Sequence, residues 1–251
     1  METQPELTDD DVLDENSRLK QRIAELDDLV RRLRAQRIQP LPPAEASSVA
    51  PTEAELAKVL LETGCVRFGR FTLKSGLVSP IYLDLRRLSS FPDALCTVAL
   101  AYLPLLEPLP FDHLAAVPYT ALPIGTAMAL ATGRSLLYAR REVKDHGTKA
   151  SVEGVFQPDE TAVVIDDVAT TGLSTTETID KLKAAGLNVR DVVVLIDREQ
   201  GAAKALATAG YRLHTVITLR KLLALWRVAG AVNDQQLDDT FSTLDPESSR
   251  V

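Results

Sequence analysis

Residues 161–186 read TAVVIDDVATTGLSTTETIDKLKAAG, and this stretch decides the fold. It begins with the apolar run from Ala162 to Ile165, which predicts a buried strand. Two carboxylates, Asp166 and Asp167, end the strand, and a turn containing Gly172 leads into a helix. In an open α/β sheet, ligands bind beyond the carboxyl ends of the strands. The order of strand, acids, turn and helix therefore predicts a ligand site at the edge of a sheet.

The turn after the two aspartates has the composition of a phosphate-binding loop. Free backbone N–H groups at a helix start, together with the aligned peptide dipoles, form an anion pocket. Gly172 allows the backbone to close around a phosphate. Hydroxyl donors are supplied in the turn by Thr170, Thr171, Ser174 and Thr175. The glycine spacing is neither GxGxxG nor GxxxxGK followed by Ser or Thr, which disfavours a dinucleotide fold and a P-loop NTPase.

The alternative is that Asp166 and Asp167 only cap or turn the chain. Adjacent residues on a strand point to opposite faces, so at least one carboxylate faces the helix layer. Burying an ionised carboxylate there costs several kcal/mol unless it is paired or bound to ligand hydroxyls. The complete order of strand, acids, hydroxyl turn, glycine and helix favours a binding site.

Composition indicates a globular, intracellular protein. The chain has 251 residues, of which 45% are hydrophobic, and 28 Lys and Arg against 35 Asp and Glu give a net charge of −7. The acidic balance argues against a nucleic-acid binder, and no apolar run reaches the ~18 residues of a membrane span. The acidic N-terminus does not resemble a targeting signal, and two cysteines, Cys65 and Cys96, fit a reducing compartment. We expect a cytoplasmic protein that binds neither nucleic acid nor membrane.

The chain before residue 52 divides into a helical segment and a linker. We assign residues 1–39 to an N-terminal coiled-coil helix, residues 40–51 (PLPPAEASSVAP) to a linker and residues 52–251 to the main domain. With Asn16 at heptad position a, β-branched residues at a and leucine at d favour a parallel two-stranded coil. The other a and d positions hold Val12, Leu19, Ile23, Leu26, Val30 and Leu33.

Two interpretations of this N-terminal segment stay open. The coil over residues 12–36 is about three heptads long, which is marginal for an isolated peptide. The segment is therefore either a coil or an amphipathic helix lying on the main domain. A coil would either clamp a dimer or recruit a coiled-coil partner.

After the linker, helix and strand patterns alternate, which predicts a parallel sheet covered by helices on both faces. Helices are predicted at residues 53–62, 92–106, 121–133, 173–186 and 202–210. Strands are predicted at residues 113–119, 135–141, 161–168, 189–199 and 211–219. Residues 68–76 and 79–85 predict a strand pair around a tight turn at Ser75 and Gly76.

Several motifs resemble one enzyme family. VVIDDVATTG, residues 163–172, is similar to the 5-phosphoribosyl 1-diphosphate (PRPP) motif of type I phosphoribosyltransferases. Four further segments follow the order of the motifs in orotate phosphoribosyltransferases: FTLKSGLVSPIYLDLR, VPYTALP, RREVKDHGTK and LIDREQG. The sequences of VPYTALP and DREQG are most similar to the transferase half of UMP synthases. The resemblance covers residues 53–225. It implies the type I phosphoribosyltransferase fold: a parallel sheet flanked by helices with a small hood, here preceded by the N-terminal coiled-coil helix.

The resemblance implies transfer of the phosphoribosyl group of PRPP to orotate, giving orotidine 5′-monophosphate and pyrophosphate in de novo pyrimidine (UMP) biosynthesis. In such a transfer, positive charge develops on the ribose and negative charge on the departing pyrophosphate. Fixed donors and a bound cation, Mg²⁺ in this family, stabilise the leaving group. The chain leaves no room for a decarboxylase barrel of ~250 residues and has no DxKxxD signature, so we expect a single-activity transferase.

The family's PRPP contacts carry over through the matching motifs. The resemblance implies that Asp166 and Asp167 hold the ribose hydroxyls and approach Mg²⁺ indirectly, through PRPP and water, while residues 169–174 cradle the 5′-phosphate. It also implies that the backbone of Tyr119 and Thr120 grips pyrophosphate. The remaining PRPP residues that it implies are Lys74, Arg140, Arg141, Lys144, His146, Val168, Ala169, Thr170, Thr171, Gly172, Leu173 and Ser174.

Residues 140–149, RREVKDHGTK, are highly charged and carry no apolar period, which predicts an exposed loop. An ordinary solvated loop is one interpretation. A basic loop in an acidic protein is also suited to close over a pyrophosphate and exclude water. The resemblance implies the latter: a catalytic loop, with Lys144 as a catalytic residue beside Asp166 and Asp167, that reaches the neighbouring subunit's site in a homodimer.

The base site is also assigned by the resemblance. It implies that Tyr82 and Leu83 pack on the orotate ring and that Thr170 and Arg198 contact orotate. A guanidinium can bind a carboxylate or a carbonyl pair with two hydrogen bonds. Two other hypotheses compete: a regulatory protein of the same fold that senses nucleotides, and a purine or uracil transferase.

Overall fold

The structure of the protein is a computed structural model that describes Glu15, residues 18–26, Asp28, and residues 50–72, 78–141 and 151–244. The chain divides into two compact units, residues 1–44 and 45–251. The boundary lies within the predicted linker. In the first unit residues 18–26 are helical, as expected, and Leu19, Ile23 and Leu26 are more than half exposed. The heptad residues Val12, Asn16, Val30 and Leu33 lie outside the described residues, so the coil stays a prediction.

The second unit contains alternating helices and strands. Its helices are α1 (Glu53–Glu62), α2 (Pro92–Leu106), α3 (Ala121–Thr132), α4 (Leu173–Ala184), α5 (Ala202–Thr208), α6 (Leu219–Val228) and α7 (Asp234–Leu244). Its strands are β1 (Val66–Thr72), β2 (Val78–Leu83), β3 (His113–Ala116), β4 (Ser135–Ala139), β5 (Val152–Glu153), β6 (Thr161–Ala169), β7 (Asn188–Asp197) and β8 (Arg212–Thr218). A 3₁₀ helix spans Leu85–Ser90.

Six strands form the main sheet in the order β5-β4-β3-β6-β7-β8. Strands β3, β4, β6, β7 and β8 are parallel, as predicted, whereas the short edge strand β5 pairs antiparallel with β4. Strands β1 and β2 form a separate antiparallel pair, which is the predicted hood. The sequence that decides the fold therefore supplies β6, a central strand of the sheet.

Helices cover both faces of this sheet because the residues of β6 alternate between two cores. Val163 and Ile165 belong to the larger cluster, with side chains of α1, α2, α3 and α6. Ala162 and Val164 belong to the second cluster, with Ile179 on α4 and side chains of β3, β4 and β7. The alternation carries on past the apolar run and directs Asp166 and Asp167 to opposite faces.

Each predicted helix and strand has a counterpart among the described residues, with ends that shift by a few residues. The tight turn predicted at Ser75 and Gly76 lies outside the described residues and stays a prediction. Strand β4 ends at Ala139, so Arg140 and Arg141 follow it rather than belong to it. The predicted helix at 53–62 begins at a capping box on Thr52, and Gly64 follows its end at φ +65°. The 3₁₀ helix, β5, α6 and α7 were not predicted. None of the described helices has both the length and the apolar character that crossing a membrane requires.

Candidate active site

Asp166 is almost fully buried at the end of β6, with 2% of its surface exposed. Thr175 Oγ1, in the first turn of α4, donates to Asp166 Oδ2 at 2.7 Å, and the Asp167 backbone N–H donates to Oδ1 at 2.9 Å. On the other face of the sheet, Tyr102 Oη donates to the Asp166 backbone carbonyl at 2.8 Å. The carboxylate that faces the helix layer therefore joins β6 to α4 and holds the turn between them.

Asp167 lies on the opposite face and is more exposed than Asp166. Burial raises the pKa of Asp166 well above its ordinary value, and the adjacent charge of Asp167 raises it further. Burial also raises the pKa of Asp167, against the opposing effect of the Arg86 guanidinium. Within the described residues, neither carboxylate forms an ion pair with Lys, Arg or His. Two adjacent acids without a cationic partner suit a ligand that brings hydroxyl donors or a cation.

The turn from β6 to α4 presents backbone donors. Gly172, at φ +81°, precedes α4, and no side chain of the described residues caps this helix start. The positive φ suits glycine, because a side chain in that conformation is strained. Thr171 and Ser174 are exposed beside it, and the Ala202 N–H donates to the Thr170 carbonyl at 3.2 Å. The anion pocket stays a prediction, and the backbone N–H groups at the start of α4 are the donors that it would use.

The remaining residues of the predicted phosphate cradle differ in exposure. Ala169 is buried and contacts the small core cluster beside β7, and Val168 packs against the larger core. The side chain of Leu173 is 66% exposed. In the predicted phosphate site, Val168 and Ala169 therefore pack into the core, and Leu173 is exposed to solvent.

The loop after β3 lies next to the end of β6, because Val117 N donates to the Ile165 carbonyl at 2.9 Å. The peptide bond between Pro118 and Tyr119 is cis, and Thr120 precedes α3. The Tyr119 ring is 61% exposed, and the Arg141 guanidinium carbon lies 5.5 Å from its centre. The structure thus brings two predicted pyrophosphate contacts, Tyr119 and Arg141, together.

Arg140 is held more firmly than Arg141. Its guanidinium forms an ion pair with Glu153 on β5, and Lys181 Nζ donates to its backbone carbonyl at 2.7 Å. To contact PRPP as predicted, the Arg140 guanidinium would have to bind PRPP and Glu153 at the same time. Three other predicted site residues, Lys74, Lys144 and His146, lie outside the described residues.

Arg198 follows β7, the strand next to β6, and its N–H donates to the Ala169 carbonyl at 2.9 Å. Its side-chain Nε is buried and has no hydrogen-bond partner within the described residues. Burial lowers the pKa of Arg198. A buried donor without a partner is rare in proteins, which makes this Nε a candidate ligand contact.

Tyr82 and Leu83, the predicted base-binding pair, lie on β2 with their side chains in different surroundings. Leu83 packs against the larger core cluster, while the Tyr82 ring lies 5.4 Å from the Phe71 ring, centre to centre. Arg86 Nη2 donates to Tyr82 Oη at 3.1 Å. Tyr82 is therefore the member of the pair whose ring contacts other side chains of the hood, Phe71 and Arg67, while Leu83 packs into the core.

Sequence reasoning missed two residues that shape this site, Tyr102 and Arg86. Tyr102 is fully buried in the apolar helix α2, where a hydroxyl group needs a partner. That requirement was the available signal, but its partner is 64 residues away along the chain. Arg86 is the last residue of the motif FTLKSGLVSPIYLDLR, and no local pattern distinguishes it from Arg87.

Comparisons with known proteins agree with this geometry. The chain is 42% identical over 182 residues to the bifunctional enzyme PyrF/PyrE of a Nostoc species, covering 72% of this chain and 38% of that protein. It is 36% identical over 170 residues to the orotate phosphoribosyltransferase of Pyrococcus furiosus, covering 67% of this chain and 93% of that protein. The chain therefore spans well under half the length of the bifunctional relatives that it matches.

Among solved structures, UMP synthase from Leishmania donovani superposes on 78% of this chain with a TM-score of 0.73 and 43% identity, and 43% of that protein is covered. No family model matches the chain. The identity to the Pyrococcus enzyme over nearly its whole length is enough to assign the family. With the acid pair and the phosphate turn at the end of β6, it follows that the chain belongs to the orotate phosphoribosyltransferase family.

Proposed function

We propose that this protein is an orotate phosphoribosyltransferase, which transfers the phosphoribosyl group of PRPP to orotate in pyrimidine biosynthesis. The observation that carries the proposal is the juxtaposition at the end of β6 and β7. There, the acid pair Asp166 and Asp167 lies without a cationic partner among the described residues, beside an uncapped helix start and the unpartnered Nε of Arg198. The acid pair suits the hydroxyl groups of a sugar, the helix start suits a phosphate, and Arg198 suits an acidic base.

In this proposal Asp167 accepts hydrogen bonds from the ribose hydroxyls, because it is the more exposed carboxylate of the pair. Asp166 already accepts from Thr175 and from the Asp167 backbone, so it orients its neighbour and the turn. The backbone N–H groups at the start of α4 bind the 5′-phosphate.

The acid pair also fits Mg²⁺, since carboxylate oxygens are hard ligands and Mg²⁺ is usually held by one or two carboxylates, substrate phosphates and water. Within the described residues, no group of three or more His, Cys, Asp or Glu is arranged to hold a metal by itself. Asp166 and Asp167 would hold the ion indirectly, through PRPP and water. When bound, it would neutralise charge on the departing pyrophosphate.

The base site supports an acidic pyrimidine over a purine or uracil. Arg198 offers a buried cationic donor, and orotate carries a carboxylate that a guanidinium binds well. Tyr82 would supply an aromatic ring for the base to pack on. Thr170 lies in the turn after β6, and its carbonyl accepts from the N–H of Ala202, four residues after Arg198. Tyr119, Thr120 and Arg141 would face the pyrophosphate.

The segment at residues 140–149 completes the proposal as a catalytic element. Lys144 and His146 would reach the active site of a second subunit in a homodimer with shared sites, where they would neutralise the leaving pyrophosphate. Arg141, exposed beside Tyr119, is the described residue from which such a loop departs.

The test follows orotate absorbance in the presence of PRPP and Mg²⁺. We expect consumption of orotate that requires both, and release of orotidine 5′-monophosphate. Lys144→Ala should lower turnover far more than it weakens PRPP binding to the free enzyme, measured by calorimetry. Absence of PRPP- and Mg²⁺-dependent loss of orotate would reject the proposed function. Small and equal effects of Lys144→Ala on both quantities would reject the catalytic role of the loop.

We propose further that the N-terminal helix pairs in parallel with a second copy of this chain. Leu19, Ile23 and Leu26 leave 55%, 59% and 55% of their surfaces exposed in a single chain. In a parallel pair in register, position g of one heptad faces position e of the next heptad in the other chain. By sequence position, Glu15 then faces Lys20, and Arg22 faces Asp27, so both contacts join opposite charges.

Disulfide trapping tests this pairing in the full chain with Cys96→Ser as background. Leu19→Cys, at position d, should form an interchain disulfide on mild oxidation, because the two sulfur atoms would meet across the helix interface. Gln21→Cys, two residues on at the outer position f, is the matched control and should remain monomeric on a non-reducing gel. Equal crosslinking of both variants, or of neither, would refute parallel pairing.

A further inference from the structure

Arg86 lies in the 3₁₀ helix that follows the hood strand β2, and its guanidinium is fixed by two neighbours. Nε donates to Asp84 Oδ1 at 2.6 Å, and Nη2 donates to Tyr82 Oη at 3.1 Å. The hydrogen bond from Arg86 lowers the pKa of Asp84. Asp84 therefore stays ionised and anchors the arginine, although the Arg86 side chain is 64% exposed.

Arg86 also acts electrostatically on the acid pair at the end of β6. Its positive charge opposes the rise in the pKa of Asp167 that burial causes. Asp167 is the carboxylate proposed to bind the ribose.

The ring of Tyr82 is held by contacts on its face and at its hydroxyl group. Phe71 packs against it, and the Arg67 guanidinium carbon lies 5.2 Å from its centre. Both contacts involve the ring and leave its hydroxyl group to other partners. Among the hydrogen bonds of the described residues, the one from Arg86 is the contact that fixes the hydroxyl group, and with it the position of the ring.

We infer that Arg86 is a positioning residue: its hydrogen bond to the Tyr82 hydroxyl group fixes the ring on which the pyrimidine would pack, and so sets where the pyrimidine lies. This inference rests on the proposed function and deepens it at the base site. It assigns to Arg86 an effect that is transmitted through the Tyr82 hydroxyl group, with no bond from Arg86 to the substrate.

A double-mutant cycle tests the inference by steady-state kinetics. Arg86→Ala should raise the KM for orotate about tenfold, the effect of losing one charge-assisted hydrogen bond, with the KM for PRPP changed less than about twofold. Tyr82→Phe removes the other end of the same bond and should raise the KM for orotate similarly. The double variant should resemble either single variant, because the two changes break one interaction.

Arg87→Ala is the matched control, since its Nε donates instead to the Thr63 carbonyl at 2.9 Å, on the side of α1. It removes the same charge one residue away and should leave the KM for orotate unchanged. Arg86→Gln, with thermal melts of every variant, separates loss of positioning from loss of folding and should give the same KM increase as Arg86→Ala.

An unchanged KM for orotate in Arg86→Ala, or effects that multiply in the double variant, would overturn the inference while the proposed function stands. An equal rise in the KM for orotate in Arg87→Ala would overturn it too, because the effect would then come from the loss of a positive charge and not from the bond to Tyr82. If the unaltered protein shows no PRPP-dependent use of orotate, the proposed function fails first and this role fails with it.

Discussion

Asp166 and Asp191 are buried aspartates on neighbouring strands of one sheet, and their surroundings are opposite. Asp191 lies towards the amino end of β7, where Arg212 Nη2 and His214 Nε2 donate to its two oxygens at 2.8 and 2.7 Å. Asp166 lies towards the carboxyl end of β6, and the charge of the adjacent Asp167 acts on it. One acid has two cationic or polar partners from β8, and the other faces a like charge.

The pKa values of these acids follow the difference. Burial alone would raise the pKa of Asp191, but the hydrogen bonds from Arg212 and His214 outweigh it, and the pKa lies below its ordinary value. The pKa of Asp166 is raised by burial and by Asp167. Charge at the amino end thus stabilises the folded chain, whereas charge at the carboxyl end opposes folding until a ligand compensates it.

A second pair at the amino ends follows the same rule. His113 Nε2 lies 2.7 Å from Glu160 Oε2, and His113 Nδ1 lies 2.5 Å from Ser135 Oγ. These residues join the starts of β3 and β4 to the segment before β6. At the amino ends of these strands the polar side chains therefore bond to one another. The acid pair lies at the carboxyl ends of the parallel strands, where ligands bind in such sheets.

The largest effect is expected at Asp167. Asp167→Asn should lower turnover by about a hundredfold or more, since it removes a charge aimed at the reacting sugar. The same change should raise the melting temperature by about 2–4 °C at neutral pH, because it relieves the buried like-charge pair. The raised pKa of Asp167 sets the sign: the ionised form disfavours folding, so the gain should shrink as pH falls towards the ordinary value. Orotate assays and thermal melts from neutral to acid pH measure both, and a variant that is less stable at neutral pH would contradict the comparison.

Arg198 should give the next largest effect. Arg198→Met keeps the length of the side chain, removes the unpartnered buried Nε, and should raise the KM for orotate between about tenfold and a hundredfold without loss of thermal stability. Arg212→Met, at the paired end of the sheet, is the matched control. It should leave the kinetics unchanged and lower the melting temperature. The opposite pattern, with stability lost at 198 and kinetics altered at 212, would mean that the two ends were assigned in reverse.

The smallest effect is expected at Asp191. Asp191→Asn should reduce the free energy of unfolding by about 1–2 kcal/mol with unchanged orotate kinetics, because it weakens two hydrogen bonds to charged or polar partners. A lowered pKa means that this contribution is present above the ordinary value and is lost as pH falls through the lower folded-state value. Urea titrations of both proteins should therefore converge under strongly acid conditions. A gap that widens on acidification would contradict the assignment.

Local patterns were enough to predict most of the fold and the centre of the site. The apolar run of β6, the two acids and the glycine before α4 are contiguous, so their meaning does not depend on distant contacts. The alternation of helix and strand likewise predicted the parallel sheet and both helix layers. The capping box at Thr52 is equally local. So is the helical spacing of the buried residues of α6, which indicates a helix: Leu219, Leu222, Leu223 and Trp226.

The sequence by itself determined which segments form strands and helices and which strand end carries the acids, because hydrophobic period and turn chemistry are properties of neighbouring residues. Only the tertiary structure decided that Asp166 bonds to Thr175 on α4 and that Tyr102 reaches the Asp166 carbonyl. It also decided that Arg86 bonds to Tyr82 while Arg87 bonds to the Thr63 carbonyl. Hydrogen-bond partners depend on which elements lie side by side, and the order of strands in a sheet differs from their order in the chain.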